Sequence, residues 1–263
     1  MEHSGEFAGK SVLITGAGGG VGTALVQPFS SRGARIIGCD TSIDVMQADG
    51  FDSRHAFDLL DRNALENANA LENAANDIMA SDGVPDIVIN YAGWTRSESF
   101  EELDQAAINR EIDLNLTGVS AVSTAIAKKM AARGHGTFVF ISSVNALSHF
   151  GNPAYAAAKA GINTFARALA VEYGQNGLRA NVVCPGSIHT SAWEHRIAKD
   201  PAVFDKLKRL YPLGRIVKVN EVAEAVAFLA SDSASGITGT ILPVDAGLMA
   251  GCRPFIDDIL NGN

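Results

Sequence analysis

The chain has 263 residues, 47% of them hydrophobic and 19% charged, and a formal net charge of −8. A chain of this length buries a full core, and one domain of this size is common among α/β folds. The acidic balance argues against a nucleic-acid partner, which needs a basic surface, and no run reaches the ~18 apolar residues of a membrane span.

In chain order, residues 1–6 are polar and unlike a secretory signal. Residues 11–15 (Ser-Val-Leu-Ile-Thr) read as a short buried strand. The glycine loop Gly16-Ala17-Gly18-Gly19-Gly20-Val21-Gly22 follows, and Thr23–Val26 reads as the start of a helix. Strand, glycine loop and helix are the context of a dinucleotide site. The glycines let the backbone approach a diphosphate, and the helix N-terminus offers unpaired N–H groups and a positive dipole end. A second strand, 34–39, ends at Asp40. An acid about 20 residues past such a loop accepts hydrogen bonds from ribose hydroxyls and repels a 2′-phosphate. No lysine or arginine in the loop or at Thr41-Ser42 offsets it. The expected cofactor is therefore NAD.

Residues 64–69 (Ala-Leu-Glu-Asn-Ala-Asn) are repeated almost unchanged at 70–75. Six residues turn a helix by ~600° and so swing its apolar face by ~240°. The pattern predicts an extra exposed turn or a looped start before residue 70. Further strand-like runs lie at 86–90, 137–142, 180–184 and 239–244, with helical stretches between most of them. The alternation predicts a doubly wound parallel sheet of about seven strands with helices on both faces, in one domain spanning 1–263. Cys39, Cys184 and Cys252 are far apart and form neither a zinc spacing nor a redox pair, so they read as reduced thiols of a cytoplasmic protein with no metal.

The most telling segment is Tyr155-Ala-Ala-Ala-Lys159, with Ser142 thirteen residues before the tyrosine. Tyr155 and Lys159 are four apart and share a helix face. A free tyrosine titrates near pH 10, and lowering that by about three units needs roughly 4 kcal/mol. A neighbouring ammonium in a partly desolvated site, with a second positive group, approaches that figure and leaves a general base near neutral pH.

Thr15-Gly16-x-x-x-Gly20-x-Gly22, Asn90-Tyr91-Ala92-Gly93, Asn115, Ser142, Tyr155-x-x-x-Lys159 and Pro185-Gly186 stand in the order seen in short-chain dehydrogenases/reductases. The chain resembles the compact branch of that family from about residue 10 to about 249. It departs at Tyr91, where the family usually has a second asparagine. The resemblance implies Tyr155 as acid/base, Lys159 as its pKa-lowering partner and ribose ligand, and Ser142 as hydrogen-bond donor to the reacting oxygen; the adjacent Ser143 is the alternative, and only the thirteen-residue spacing favours Ser142. It implies Asn115 as the holder of a relay water. It also places Asp58 and Leu59 beside the adenine, Asn90, Ala92 and Gly93 along the cofactor cleft, and Ile188 and Thr190 at the carboxamide. A homotetramer is implied as well, consistent with the small residues of Ala154–Gly161.

The stretch 187–215 is expected to form a substrate lid. It carries six basic residues against three acidic ones, a net +3. With Trp94, Asn145, His149, Trp193 and, from a tail at 250–263, Arg253 nearby, it would make a polar, cationic pocket for a sugar, polyol or sugar acid. The rival substrates are a cyclic alcohol or a hydroxyacyl thioester. A non-catalytic NAD-sensing protein on the same fold is the rival of another kind.

Overall fold

Strands buried on both faces are apolar at nearly every position, and those runs set the sheet. In the computed structural model, which describes residues 5–60, 70–96, 99–190 and 193–261, β1 (Ser11–Thr15), β2 (Arg35–Asp40), β3 (Ser53–Ala56), β4 (Ile87–Asn90), β5 (Gly136–Ile141), β6 (Leu178–Pro185) and β7 (Ile241–Val244) form one sheet. All pairings are parallel, in the order β3-β2-β1-β4-β5-β6-β7. The predicted fold class is the observed one. Period-two alternation sends Val12 and Ile14 to one face and Leu13 to the other.

On one face α1 (Gly20–Ser30) and α8 (Val219–Ala230) pack Leu25, Phe29, Val222 and Val226 against the sheet. On the other, α2 (Ala70–Asp82), α4 (Gly118–Arg133) and α5 (Pro153–Tyr173) supply Ile78, Val122, Ile126, Ile162 and Leu169. The remaining helices are α3 (Gln105–Ile112), α6 (Glu194–Lys199) and α7 (Val203–Lys208). No helix among the described residues is long and apolar enough to cross a membrane.

The sequence reading did not place β3. It is a polar edge strand, Ser-Arg-His-Ala, held by side chains that converge on Asp82: the Ser53 hydroxyl at 2.8 Å, His55 Nε2 at 2.6 Å and the Arg35 guanidinium at 2.7 Å. Of the repeat, residues 64–69 lie outside the described residues, and the second copy, from Ala70, lies in α2.

The strand order reverses between β1 and β4, so their C-terminal ends open a crevice. In open parallel sheets such a crevice is where ligands bind. Thr15 and Asn90 pair at that end, the Thr15 hydroxyl accepts from the Ala92 N–H at 3.2 Å, and the glycine loop and the Asn90–Gly93 turn meet there.

Candidate active site

Two cavities meet at the crevice. The first, about 470 Å³, is lined by the loop glycines Gly16, Gly19 and Gly20, by Asp40, Asp58 and Leu59, and by Tyr91, Ala92, Gly93, Trp94 and Thr190. The second, about 410 Å³, is lined by Val21, Ser142, Ser143, Asn145, Tyr155, Pro185, Gly186, Ile188, Thr190 and Trp193 among others. The predicted cofactor and catalytic positions thus gather at one end of the sheet, except that Gly22, Asn90, Asn115 and Lys159 lie beneath the cavity walls.

The first cavity fits a dinucleotide. Gly16 holds φ +70°, and a Cβ there would lie 2.8 Å from the Ala92 Cα; a Cβ on Gly22 would lie 2.1 Å from the Gly16 carbonyl oxygen. The close turn and the exposed N-terminus of α1 therefore need glycine. The Asp40 carboxylate is held by the Gly18 N–H at 2.9 Å and the Thr41 N–H at 2.7 Å. Asn90 Nδ2, buried at the end of β4, finds no protein acceptor among the described residues.

Tyr155 and Lys159 lie on α5, which starts with Pro153 at its first turn after Asn152 in left-handed conformation (φ 53°), a geometry asparagine tolerates. Lys159 is buried. Its Nζ donates to the Ile141 carbonyl at 3.0 Å and stands 5.6 Å from the Tyr155 ring centroid. Burial pushes the Lys159 ammonium down to about 8. The expected lowering of Tyr155 calls on a second positive group besides Lys159; the protein's own groups act the other way. Burial pushes the Tyr155 hydroxyl above its ordinary value, a hydrogen bond with Ser143 pulls the other way, and the nearby Tyr91, Glu111 and Cys184 groups push it further up.

The two adjacent serines both line the second cavity and differ in their contacts. The Ser142 hydroxyl donates to the Lys159 carbonyl at 3.2 Å, whereas Ser143 is the side chain that pulls the Tyr155 hydroxyl down. Ser142 extends the β5 ladder through its N–H to the Val183 carbonyl at 2.8 Å. Alternation along an extended chain then turns the next side chain, Ser143, to the opposite side. Cys184 is buried and its thiol is raised chiefly by that burial, so it stays protonated and inert.

Asn115 sits in a π-helical turn, Asp113–Thr117, between α3 and α4; such bulges recur at functional sites. Its amide clamps the Trp94 backbone, donating to the carbonyl at 2.8 Å and accepting from the N–H at 3.2 Å. It also reaches the carboxylate of Glu111, which the sequence reading did not single out. Glu111 is buried and accepts from the Thr95 hydroxyl and the Arg96 N–H, both at 3.0 Å. The available signal was position: an acid one helical turn before Asn115. Tyr211, also missed, is buried and accepts from the Ser187 N–H at 2.8 Å, pinning the start of the 187–215 stretch.

Of the predicted substrate residues, Asn145 and Trp193 line the second cavity and Trp94 the first, while His149 and Arg253 line neither. Arg253 is exposed and pairs with Asp257 at 2.8 Å. The cationic lid dissolves into local pairs: Lys206 with Asp200, Lys208 with Asp205, Arg209 with Asp258 and Arg215 with Glu221. Arg196, stacked on Trp193 at 4.7 Å, is the basic side chain among the described residues lining the cavity. The rest of its wall is largely apolar, with Val144, Phe150, Leu207, Leu210 and Leu248.

The lysine has a measurable consequence. Below pH 8 Lys159 is charged in the folded and unfolded chains alike, so the full cost of burying the charge opposes folding. Between about 8 and the unfolded value of 10.5 the unfolded chain keeps the proton that the folded chain has lost, and stability rises with pH. Lys159→Met should therefore be more stable than the parent at pH 7. The gain is at most about 3 kcal/mol, less about 1 kcal/mol for the lost Ile141 hydrogen bond. It should shrink as the pH is raised toward 10. Urea unfolding of both proteins across that range checks this; a difference that does not vary with pH contradicts it.

The sequence matches the family model described as enoyl-(acyl-carrier-protein) reductase over residues 16–249. An uncharacterised oxidoreductase of Schizosaccharomyces pombe is 40% identical over 97% of this chain and 96% of its own. Among solved structures, a short-chain dehydrogenase/reductase-family oxidoreductase from Burkholderia thailandensis superposes with a TM-score of 0.86 at 37% identity, covering 97% of this chain and 98% of that one. A gluconate 5-dehydrogenase from Burkholderia cenocepacia, solved with NADP and tartrate, gives a TM-score of 0.85 at 28% identity, covering 95% of this chain and all of the other.

Proposed function

The chain belongs to the short-chain dehydrogenase/reductase family, and from that premise we propose that it interconverts a secondary alcohol and a carbonyl, using NAD and the groups around Tyr155. The observation that carries this reading is the meeting, at the crevice between β1 and β4, of a glycine-loop cavity with a second cavity that contains the Tyr155 and Ser143 hydroxyls. When bound, an oxidised nicotinamide supplies the hydride acceptor and a second positive charge near the phenol. The chain does the rest. Ser143 donates a hydrogen bond to the reacting oxygen. Tyr155 Oη exchanges the proton with that oxygen: in its protonated form it donates to a carbonyl oxygen, and as the phenolate, its own proton first released to solvent under the added positive charge, it takes the proton of an alcohol. Lys159, fixed by the Ile141 carbonyl, keeps a cation against the ring, and Asn115 with Glu111 fixes the wall at Trp94–Arg96.

The apolar wall of the second cavity supports a substrate with a ring or chain body, a cyclic alcohol or hydroxyacyl group. A sugar or sugar acid is the second reading, favoured by Arg196 and Asn145 in the lining and by the likeness to a gluconate 5-dehydrogenase. A panel of cyclic alcohols, hydroxyacyl thioesters, sugars and sugar acids, scored by kcat/KM, tests the substrate class. Small residues along Ala154–Gly161, with Val171 of the same helix 81% exposed, support a homo-oligomer, for which we take the tetramer.

For the cofactor we expect NAD⁺ to be preferred over NADP⁺ by at least about tenfold in kcat/KM, roughly 1.4 kcal/mol. Asp40 stands at the groove, and its described lining contains no lysine or arginine to pair with a 2′-phosphate. Equal kcat/KM for the two cofactors would contradict the assignment.

A further inference from the structure

Among the described residues that line the second cavity, Arg196 is the one charged side chain, and no carboxylate stands beside it in the lining. A chain of ring contacts fixes the guanidinium at the wall. It stacks on the Trp193 ring at 4.7 Å, Trp193 packs on Phe204 at 5.4 Å, and Phe204 meets His189 edge-on at 4.6 Å. Arg196 lies on α6 and Phe204 on α7, so the stack also ties these two short helices together. A guanidinium stacked by its face still offers N–H groups along its edge, and its five donors can serve a carboxylate alongside other acceptors.

Most other polar groups of the cavity are committed within the protein. Ser142 donates its proton to the Lys159 carbonyl, and the Tyr211 hydroxyl accepts from the Ser187 N–H. Asn145 and Asn152 donate amide N–H groups to the Gly151 carbonyl and the Thr95 hydroxyl. A polyol would bring many hydroxyls to few partners, and each one buried unmatched costs free energy. Apart from Ser143, Tyr155 and Arg196 the wall offers chiefly apolar surface, from Val144, Phe150, Leu207, Leu210 and Leu248.

We propose that the substrate of this site is a hydroxy acid or oxo acid with an apolar body, and that Arg196 is the specificity-determining residue that holds its carboxylate. The proposal rests on the reading of the site as an alcohol–carbonyl oxidoreductase. In oxidation the carbinol carbon gives its hydride to NAD⁺ and its hydroxyl proton to the Tyr155 phenolate. The carboxylate forms and breaks no bond. A carboxylate taken into an apolar cavity loses its hydration, and a fixed guanidinium offsets that loss. A neutral ester of the same body gains nothing comparable from Arg196.

The probes are 4-hydroxycyclohexanecarboxylate and 3-hydroxyoctanoate, each paired with its methyl ester and oxidised with NAD⁺. For each pair the ratio of kcat/KM, acid over ester, is measured in the parent, in Arg196→Gln and in Arg196→Lys. The ratio cancels general damage to the site, and a thermal melt verifies that the variants are folded. The parent should prefer the acid by at least about tenfold in one pair or both. Arg196→Gln should lower that ratio by roughly 10–100-fold, the worth of hydrogen bonds to a charged group, and the loss should fall on KM of the acid rather than on kcat. Arg196→Lys, which keeps the charge without the fork, should lie between the two. A fall of less than about fivefold in Arg196→Gln overturns the proposal. So does a parent that fails to prefer the acid in either pair while it oxidises the esters or other neutral alcohols, and both results leave the oxidoreductase reading standing. No turnover of these probes or of any neutral alcohol or sugar by the parent, with NADH bound saturably, overturns that reading and the proposal together.

Discussion

Replacing Tyr155 with phenylalanine removes nearly all turnover and leaves NADH affinity almost unchanged. The hydroxyl lines the second cavity beside Ser143, placed to exchange a proton with a substrate oxygen there. The ring itself only packs above the Lys159 ammonium, and phenylalanine keeps that packing. General acid–base help is worth 10²–10⁴-fold, so kcat of the variant should fall by about that factor. Steady-state kinetics with a fluorescence titration of NADH separates the two effects. More than about a tenth of the parent kcat is incompatible with an acid–base role for this hydroxyl.

The two adjacent serines should behave oppositely. Ser143→Ala takes away the donor beside the Tyr155 hydroxyl, and losing one preorganised donor to a reacting oxygen costs about 10²–10³-fold. We expect kcat/KM to drop by about 10², with about 1 kcal/mol of stability lost with the hydrogen bond from the Asn145 N–H. Ser142→Ala instead removes a buried hydrogen bond to the Lys159 carbonyl and costs about 1 kcal/mol of stability, with kcat/KM within about threefold of the parent. Should Ser142→Ala prove the inactive variant and Ser143→Ala the active one, the thirteen-residue spacing is the better guide and the geometric assignment fails.

That contrast shows where the sequence was legible. The glycine loop, Asp40 and the Tyr155–Lys159 pair could be read because diphosphate approach and helical spacing each demand particular residues at particular separations. The strands β1, β2, β4, β5 and β6 could be read because burial on both faces leaves a nearly continuous apolar run, and the half-buried edge strand β7 keeps an apolar Ile241-Leu242-Pro243-Val244 run. β3 escaped because an edge strand of Ser53-Arg54-His55-Ala56 has no such run, and its anchor Asp82 lies 26 residues beyond its end. Spacing alone does not choose between Ser142 and Ser143, because a count of residues carries no direction and side-chain direction there is set by whether the β5 ladder extends to Ser142. The pairing within the lid escaped because net charge along a segment does not reveal which charges are matched: three of the pairs are local, and Arg209 finds Asp258 from the far end of the chain. The sign of the Tyr155 shift escaped for a related reason. Spacing brings Lys159 to the same face, but burial of the phenol and the Ile141 carbonyl on the lysine are properties of the packed site.

The central claim is that this site moves a hydride directly between a substrate carbon and a nicotinamide, with Tyr155 handling the proton. The most direct test takes the panel member turned over fastest with NAD⁺, labels its carbinol carbon with deuterium, and follows the label by mass spectrometry in the parent and in Tyr155→Phe. The account predicts NADH carrying one deuterium per turnover in the parent, and bound but unreduced cofactor in the variant. Deuterium released to water, or saturable NADH binding with no panel member turned over in either direction, would contradict it and make the chain a nicotinamide-binding protein rather than a dehydrogenase.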